Sequence, residues 1–117
     1  MILAIDQGTT GTTALVVDRR WRVIARAYAE LPQHYPQPGW VEHRPQEILD
    51  VTRRVIRSVL AAGRIRPSRL EAIGITNQRE TTILWDRRTG RPVANAIVWQ
   101  CRRSAPLCEA LRARGLT

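Results

Sequence analysis

Lysine does not occur in this sequence. All 19 basic side chains are arginine, set against 10 acidic ones for a formal net charge of +9. That balance invites a nucleic-acid reading, but the arginines run the length of the chain with no uninterrupted run longer than Arg-Arg. A nucleic-acid footprint concentrates on one face, so no nucleic-acid partner is expected. Long apolar runs are missing too. None approaches the roughly 20 residues that span a bilayer, so no membrane partner is expected. The opening MILAIDQG has neither the basic n-region nor the extended h-region of a secretory signal, and the expected location is the cytoplasm. Cysteine is scarce. Cys101 and Cys108 would lie about 10 Å apart on a helix, beyond disulfide reach, and no CxxC or CxxH spacing suggests zinc. They read as two reduced, packing thiols.

What remains is an ordinary globular composition: 117 residues, 44% hydrophobic and 25% charged, enough for one domain with a real core. No internal repeat or low-complexity tract occurs. ILAID (2–6), TTALVVD (12–18) and WRVIARAYAEL (21–31) read as three strands with short connections, an antiparallel meander. Residues 32–45 hold four prolines and Gly39, so no regular element fits; Tyr35 and Trp40 are expected to pack this loop down. His34, Glu42 and His43 within it lack further ligands at a known metal spacing.

The clearest helix covers 46–62, where Ile48, Val51, Thr52, Val55, Ile56, Val59 and Leu60 share one face at the 3.6 period. Pro45 suits its first turn and Gly63 its C-terminal stop. Arg53, Arg54 and Arg57 form a solvated face. LEAIGIT and TTILWDR read as strands, RTGR as a turn, and PVANAIVW as a returning strand. Ser104 is the expected cap of a last helix with Pro106 in its first turn. The order of elements is α/β.

Three stretches carry candidate chemistry. DQGTTG, from Asp6 to Gly11, is not a Walker loop, because no GK[ST] is present and a strand follows. A hairpin of Gly and Thr can aim N–H groups and hydroxyls at phosphate oxygens, and an Asp ending a strand can hold Mg²⁺ directly or through water. The same residues also make ordinary turns. In GITNQRETT, Arg79 and Glu80 are neighbours that strand geometry would point to opposite faces; a turn or strand end is needed for both to point one way. Arg offers only donors and a carboxylate only acceptors, so a polyol hydroxyl can receive from one and donate to the other. A surface turn closed by a salt bridge is the competing reading. In IVWQCRR, Trp99 can offer an apolar wall to the CH faces of a carbohydrate-like ligand, though a lone Trp is as readily core.

DQGTT, YPQPGWVEH, GITNQRETT and NAIVWQCRR, in this order and at these separations, resemble the glycerol kinases of the FGGY carbohydrate kinase family. The resemblance covers the whole chain but only about the first quarter of such a kinase. It implies a ribonuclease-H-like fold of the actin and sugar-kinase type: an α/β domain with a mixed sheet, the three-stranded meander and flanking helices, incomplete here, with residues 1–117 as the N-terminal part of the first domain. It also implies ATP-dependent phosphorylation of glycerol to sn-glycerol 3-phosphate, with ATP and Mg²⁺ as cofactors and a homo-oligomer for the complete enzyme. At matching positions, Arg79 and Glu80 are implied as glycerol ligands and Trp99 as the wall beside the carbon chain. Asp6 is implied at the Mg²⁺, and Thr9, Thr10, Gly11 and Thr13 at the nucleotide phosphates.

Two departures stand out against that pattern. After DQGTT such kinases usually continue Ser-Ser-Arg, whereas here Gly11-Thr12-Thr13 follow and the cation is missing; a hydroxyl does not replace a guanidinium. Arg44 stands where an acidic helix cap is common, an expected loss of about 1 kcal/mol. The chain also lacks an assignable general base. Asp18, Asp50 and Asp86 have no partner motif, and the base and adenine pocket are expected beyond Thr117, so the chain alone is expected to be inactive. Another FGGY polyol or sugar kinase, or a non-enzymatic truncated module, are the alternatives.

Overall fold

The computed structural model describes residues 1–116. They form two compact units: residues 1–32 with 45–79, and residues 33–44 with those from Glu80 onward. In the first unit, β1 (Ile2–Gln7), β2 (Gly11–Val17) and β3 (Val23–Glu30) form the expected antiparallel meander. After helix α1 (Pro45–Ala62) and a short 3₁₀ turn (Pro67–Arg69), β5 (Ala72–Asn77) returns parallel to β1, giving a mixed sheet ordered β3-β2-β1-β5. A crossover helix between parallel strands is the usual way to join them.

Alternation along the strands decides which face receives the helix. Leu3 and Ile5 of β1, Ala14 and Val16 of β2 and Ala25 of β3 point inward against Val51, Val55 and Val59 of α1. Full burial of each such valine contributes about 1.5–3 kcal/mol. On β3 the inward positions are alanines, Ala25, Ala27 and Ala29, paired with Val16, Ala14 and Thr12 of β2, and their small size lets the helix approach closely. Residues Ile48, Thr52, Ile56 and Leu60 flank the buried stripe at partial exposure, and Arg53, Arg54 and Arg57 are exposed, as the periodicity predicts. The helix does not cover β5. Ile73 and Ile75 occupy the same inward register as Leu3 and Ile5 yet are 59% and 71% exposed.

The helix stop differs from the sequence expectation. Gly63 N–H reaches Val59 O, Arg64 N–H reaches Ala61 O and Ile65 N–H reaches Leu60 O, a Schellman closure. The left-handed residue is Arg64, with φ of 49°, not Gly63. Glycine at 63 answers a packing need instead: an added Cβ would lie 2.6 Å from Ile65 Cδ1 and 3.0 Å from Ala25 Cβ.

The second unit is where strand expectations fail. A two-residue β4 (Glu42–His43) interrupts the proline-rich loop and pairs with β6 (Ala96–Ile97). Of the two longer strands expected in 81–99, only β6 forms; Thr82 and Trp85 make isolated bridges to Ile97 and Pro92. Their β-branched composition meets no continuous partner strand, and composition alone makes no ladder. RTGR does turn the chain, with Asp86 Oδ1 accepting from Thr89 N–H and Oγ1 at 2.6 and 2.8 Å and Gly90 at φ of 69°. Helix α2 (Ala105–Ala113) follows Ser104, which sits at the N-cap position but makes no side-chain cap bond. Its φ and ψ of −85° and −7° are helical, whereas a capping side chain needs extended backbone. No helix among the described residues is long and apolar enough to cross a membrane.

Candidate active site

The candidate residues of 6–13 lie at the β1–β2 end of the first unit, and Arg79 and Glu80 follow the neighbouring strand β5. Asp6 is the outward-facing residue near the end of β1, and its carboxylate is exposed. Thr13 of β2 and Thr76 of β5 are its register partners, so all three side chains share the sheet face opposite α1. With Ala4, Leu15, Val23 and Arg26 they line a groove of about 550 Å³.

Thr9 and Thr10 form the bend of the β1–β2 hairpin, closed by Gly8 N–H to Gly11 O at 2.9 Å. The Thr10 carbonyl accepts from Leu31 N–H at 2.9 Å, tying the bend to the end of β3. Gly11 is buried. A Cβ there would meet the Tyr28 hydroxyl at 2.5 Å and the Ala29 carbonyl oxygen at 2.6 Å, so its glycine identity answers this contact.

Arg79 and Glu80 lie in a turn directly after β5, the local geometry that lets adjacent side chains escape strand alternation. Glu80 takes φ of 63°, a left-handed conformation rare for a residue with a Cβ and often kept at functional sites. Both side chains are exposed, and neither has a salt-bridge partner among the described residues. The surface turn closed by an Arg–Glu bridge is therefore not what forms.

In the second unit, Trp99 is 54% exposed in the turn that Cys101 N–H closes onto Val98 O at 2.8 Å. The same unit holds a cluster the sequence reading missed. Arg103 donates from Nη2 to Glu42 Oε1 at 2.6 Å and from Nε to Cys101 Sγ at 2.9 Å, and its guanidinium stacks 3.9 Å from the Trp40 ring centre. Asn95 donates to the other Glu42 oxygen at 2.9 Å. The Asn95 amide and then the Arg103 guanidinium hold the Glu42 carboxyl below its usual range. Burial pushes the Cys101 thiol up, but the backbone N–H groups of Arg103 and Val41 and the Arg103 guanidinium outweigh it, leaving the thiol below its ordinary value.

Two expectations are corrected here. Trp40 does pack, but under Arg103, whereas Tyr35 is 68% exposed and does not hold the loop. Both thiols are free, but Cys108 is exposed and not a packing residue. Glu42 is committed to Arg103 and Asn95, and the buried His43 ring bonds Gln33 Oε1 at 2.9 Å. Among the described residues no group of three or more His, Cys, Asp or Glu side chains could hold a metal ion. Asp6 offers a single exposed carboxylate, which suits Mg²⁺: that ion takes one or two protein carboxylates and completes its shell with waters and substrate phosphates.

Comparison with known proteins agrees with this architecture. The chain is 59% identical to the glycerol kinase of Halorhodospira halophila over 115 residues and 54% identical to that of Carboxydothermus hydrogenoformans over 115 residues; each alignment covers 98% of this chain and 23% of the relative. The crystal structure of Plasmodium falciparum glycerol kinase with ADP superposes with a TM-score of 0.88 at 35% identity, over 97% of this chain and 23% of that one. The chain thus spans about a quarter of the length of the relatives it matches. The model of the FGGY family of carbohydrate kinases, N-terminal domain, matches residues 1–117, and the chain belongs to that family.

Proposed function

We propose that this chain is the N-terminal part of the first domain of a kinase that transfers a phosphoryl group from ATP to glycerol, giving sn-glycerol 3-phosphate in the cytoplasm. The observation that carries the reading is the turn after β5, where an Arg and a Glu stand exposed and without salt-bridge partners among the described residues, one of them in a left-handed conformation. A donor fork beside an acceptor is complementary to hydroxyls that both give and take protons. Relatives named glycerol kinase across 98% of the chain support glycerol over other polyols.

In this reading Arg79 donates to one glycerol oxygen while Glu80 accepts from another, and the exposed Trp99 lies against the CH face of the carbon chain. Thr9, Thr10, Gly11 and Thr13 receive nucleotide phosphates on the hairpin, with Thr13 beside Asp6 in register. Asp6 would hold Mg²⁺, which would supply charge neutralisation for the transferred phosphoryl group. Among the described residues none is assigned to accept the hydroxyl proton, and in this reading the base and the adenine contacts come from the rest of the complete enzyme, which is read as a homo-oligomer.

The test is a graft of this chain onto the rest of the Halorhodospira halophila enzyme, with the chain alone as control, in a coupled glycerol 3-phosphate assay. The graft is expected to turn over and the isolated chain is not, because catalytic groups that act as a unit fail together when some are missing. Glu80→Ala should raise the glycerol KM at least about tenfold, and Asp6→Asn should depress kcat with little change in glycerol KM. Wild-type kinetics in both variants would remove these residues from the site.

A further inference from the structure

Between the phosphate hairpin and the Arg79 turn lies a buried pair of amides. Gln7 and Gln78 are 8% and 9% exposed, at the ends of the two parallel strands. Gln78 N–H donates to Gln7 O at 2.7 Å, extending the ladder one step past its last register pair, Gln7 with Asn77. The side chains repeat the link, with Gln78 Nε2 donating to Gln7 Oε1 at 3.4 Å and Gln7 Nε2 donating to Gly8 O at 2.8 Å. Gly8 N–H then closes the hairpin on Gly11 O at 2.9 Å. One continuous chain of hydrogen bonds therefore runs from the residue before Arg79 to the residues that shape the hairpin bend.

Stability alone does not account for polar groups here. On the same inward face, the next residue of the register, Thr12, is fully buried with its hydroxyl unpartnered, a position where the isosteric valine would be the more stable choice. An apolar pair at 7 and 78 would fill the space equally well. What amides add is direction: a hydrogen bond fixes distance and angle where a hydrophobic contact does not.

We infer that Gln7 and Gln78 are positioning residues that lock the phosphate hairpin to the turn bearing Arg79. The lock sets the spacing between the phosphates and the receiving hydroxyl, without either amide touching substrate. The inference rests on the reading proposed above. In-line transfer tolerates little misplacement, and an error of about 1 Å costs on the order of 100-fold in rate.

Two measurements test it. In the chain itself, amide exchange should be reciprocal: Gln78→Met should speed exchange at Gly8 N–H, and Gln7→Met should speed it at Gln78 N–H. In the graft, each single variant should lower kcat about 10- to 100-fold. The double variant Gln7→Met/Gln78→Met removes both side-chain amides together, so it should melt above either single variant while its kcat stays low. A double variant with wild-type kcat, or exchange at Gly8 indifferent to residue 78, overturns the lock. A wild-type graft without glycerol-dependent turnover would instead overturn the proposed function, and the exchange arm would still decide whether the hairpin and turn are coupled.

Discussion

The Nη2 of Arg103 lies 2.6 Å from Glu42 Oε1, joining residues 61 positions apart in the sequence. The pair is mostly sheltered, with side-chain exposures of 21% and 13%, and it connects the end of the 92–103 segment to the short β4. The same guanidinium bonds Cys101 and covers Trp40. Only a planar fork serves three partners at once.

Arg103→Ala is therefore expected to destabilise the chain by about 2–3 kcal/mol, the usual cost of stranding a charged hydrogen-bond partner. Arg103→Lys should recover only part of that loss, since an ammonium cannot bond Glu42 and Cys101 while stacking on Trp40. Urea denaturation followed by Trp fluorescence checks both, and a lysine variant as stable as the parent would mean that charge alone suffices.

Acid should loosen the same region. The Glu42 carboxyl, held low first by Asn95 and then by Arg103, titrates below its unfolded value of about 4.3. A depressed folded value means its contribution is complete above that pH and is lost as pH falls through the lowered folded value. Urea midpoints measured between neutral and strongly acidic pH should fall more steeply below about pH 4 in the parent than in Glu42→Gln. Parallel curves would show that Glu42 does not drive the acid response.

At the end of α1, the two neighbours of the helix stop should respond in opposite directions. Arg64→Gly relieves a left-handed arginine and is expected to stabilise by up to about 1 kcal/mol after the added freedom of the unfolded chain is subtracted. Gly63→Ala drives a methyl toward Ile65 and Ala25 and should cost about 1–3 kcal/mol. Thermal melts of the two variants check the assignment. Equal and opposite behaviour from that described would return the left-handed role to residue 63.

The first unit was the readable half of the chain because its signals are local. Period-2 runs in 2–31 and a period-3.6 stripe in 46–62 each declare their own element, and the crossover to a parallel strand follows from their order. The Arg79–Glu80 turn was visible as a conflict between adjacent charges and strand alternation. In the second unit the same kind of reading misplaced strands, because 81–99 is β-like in composition while its pairing is confined to β6 and isolated bridges. The Arg103 cluster had no local signature at all: Trp40, Glu42, Asn95 and Cys101 come from two distant stretches. Gln7 and Gln78 were inside quoted motifs, yet nothing in the sequence separates an inward-facing glutamine that bridges two loops from one that merely ends a strand.

The central strand also dictates an order of assembly. β1 finds its antiparallel neighbour at once, with Gln7 pairing Thr12 across the hairpin, but its parallel neighbour arrives only after the whole of α1, with Ile2 pairing Ala72. Closing so long a loop is slow relative to closing a hairpin. The meander and α1 are thus expected to form first and β5 to join last, which pulse-labelled exchange would register as late protection of the Gly74 and Thr76 amides, which share the parity of the Gln78 N–H bonded to Gln7. Arg79, which follows β5, is then carried into place by the final pairing event of the sheet, so the hairpin exists before the turn it must face.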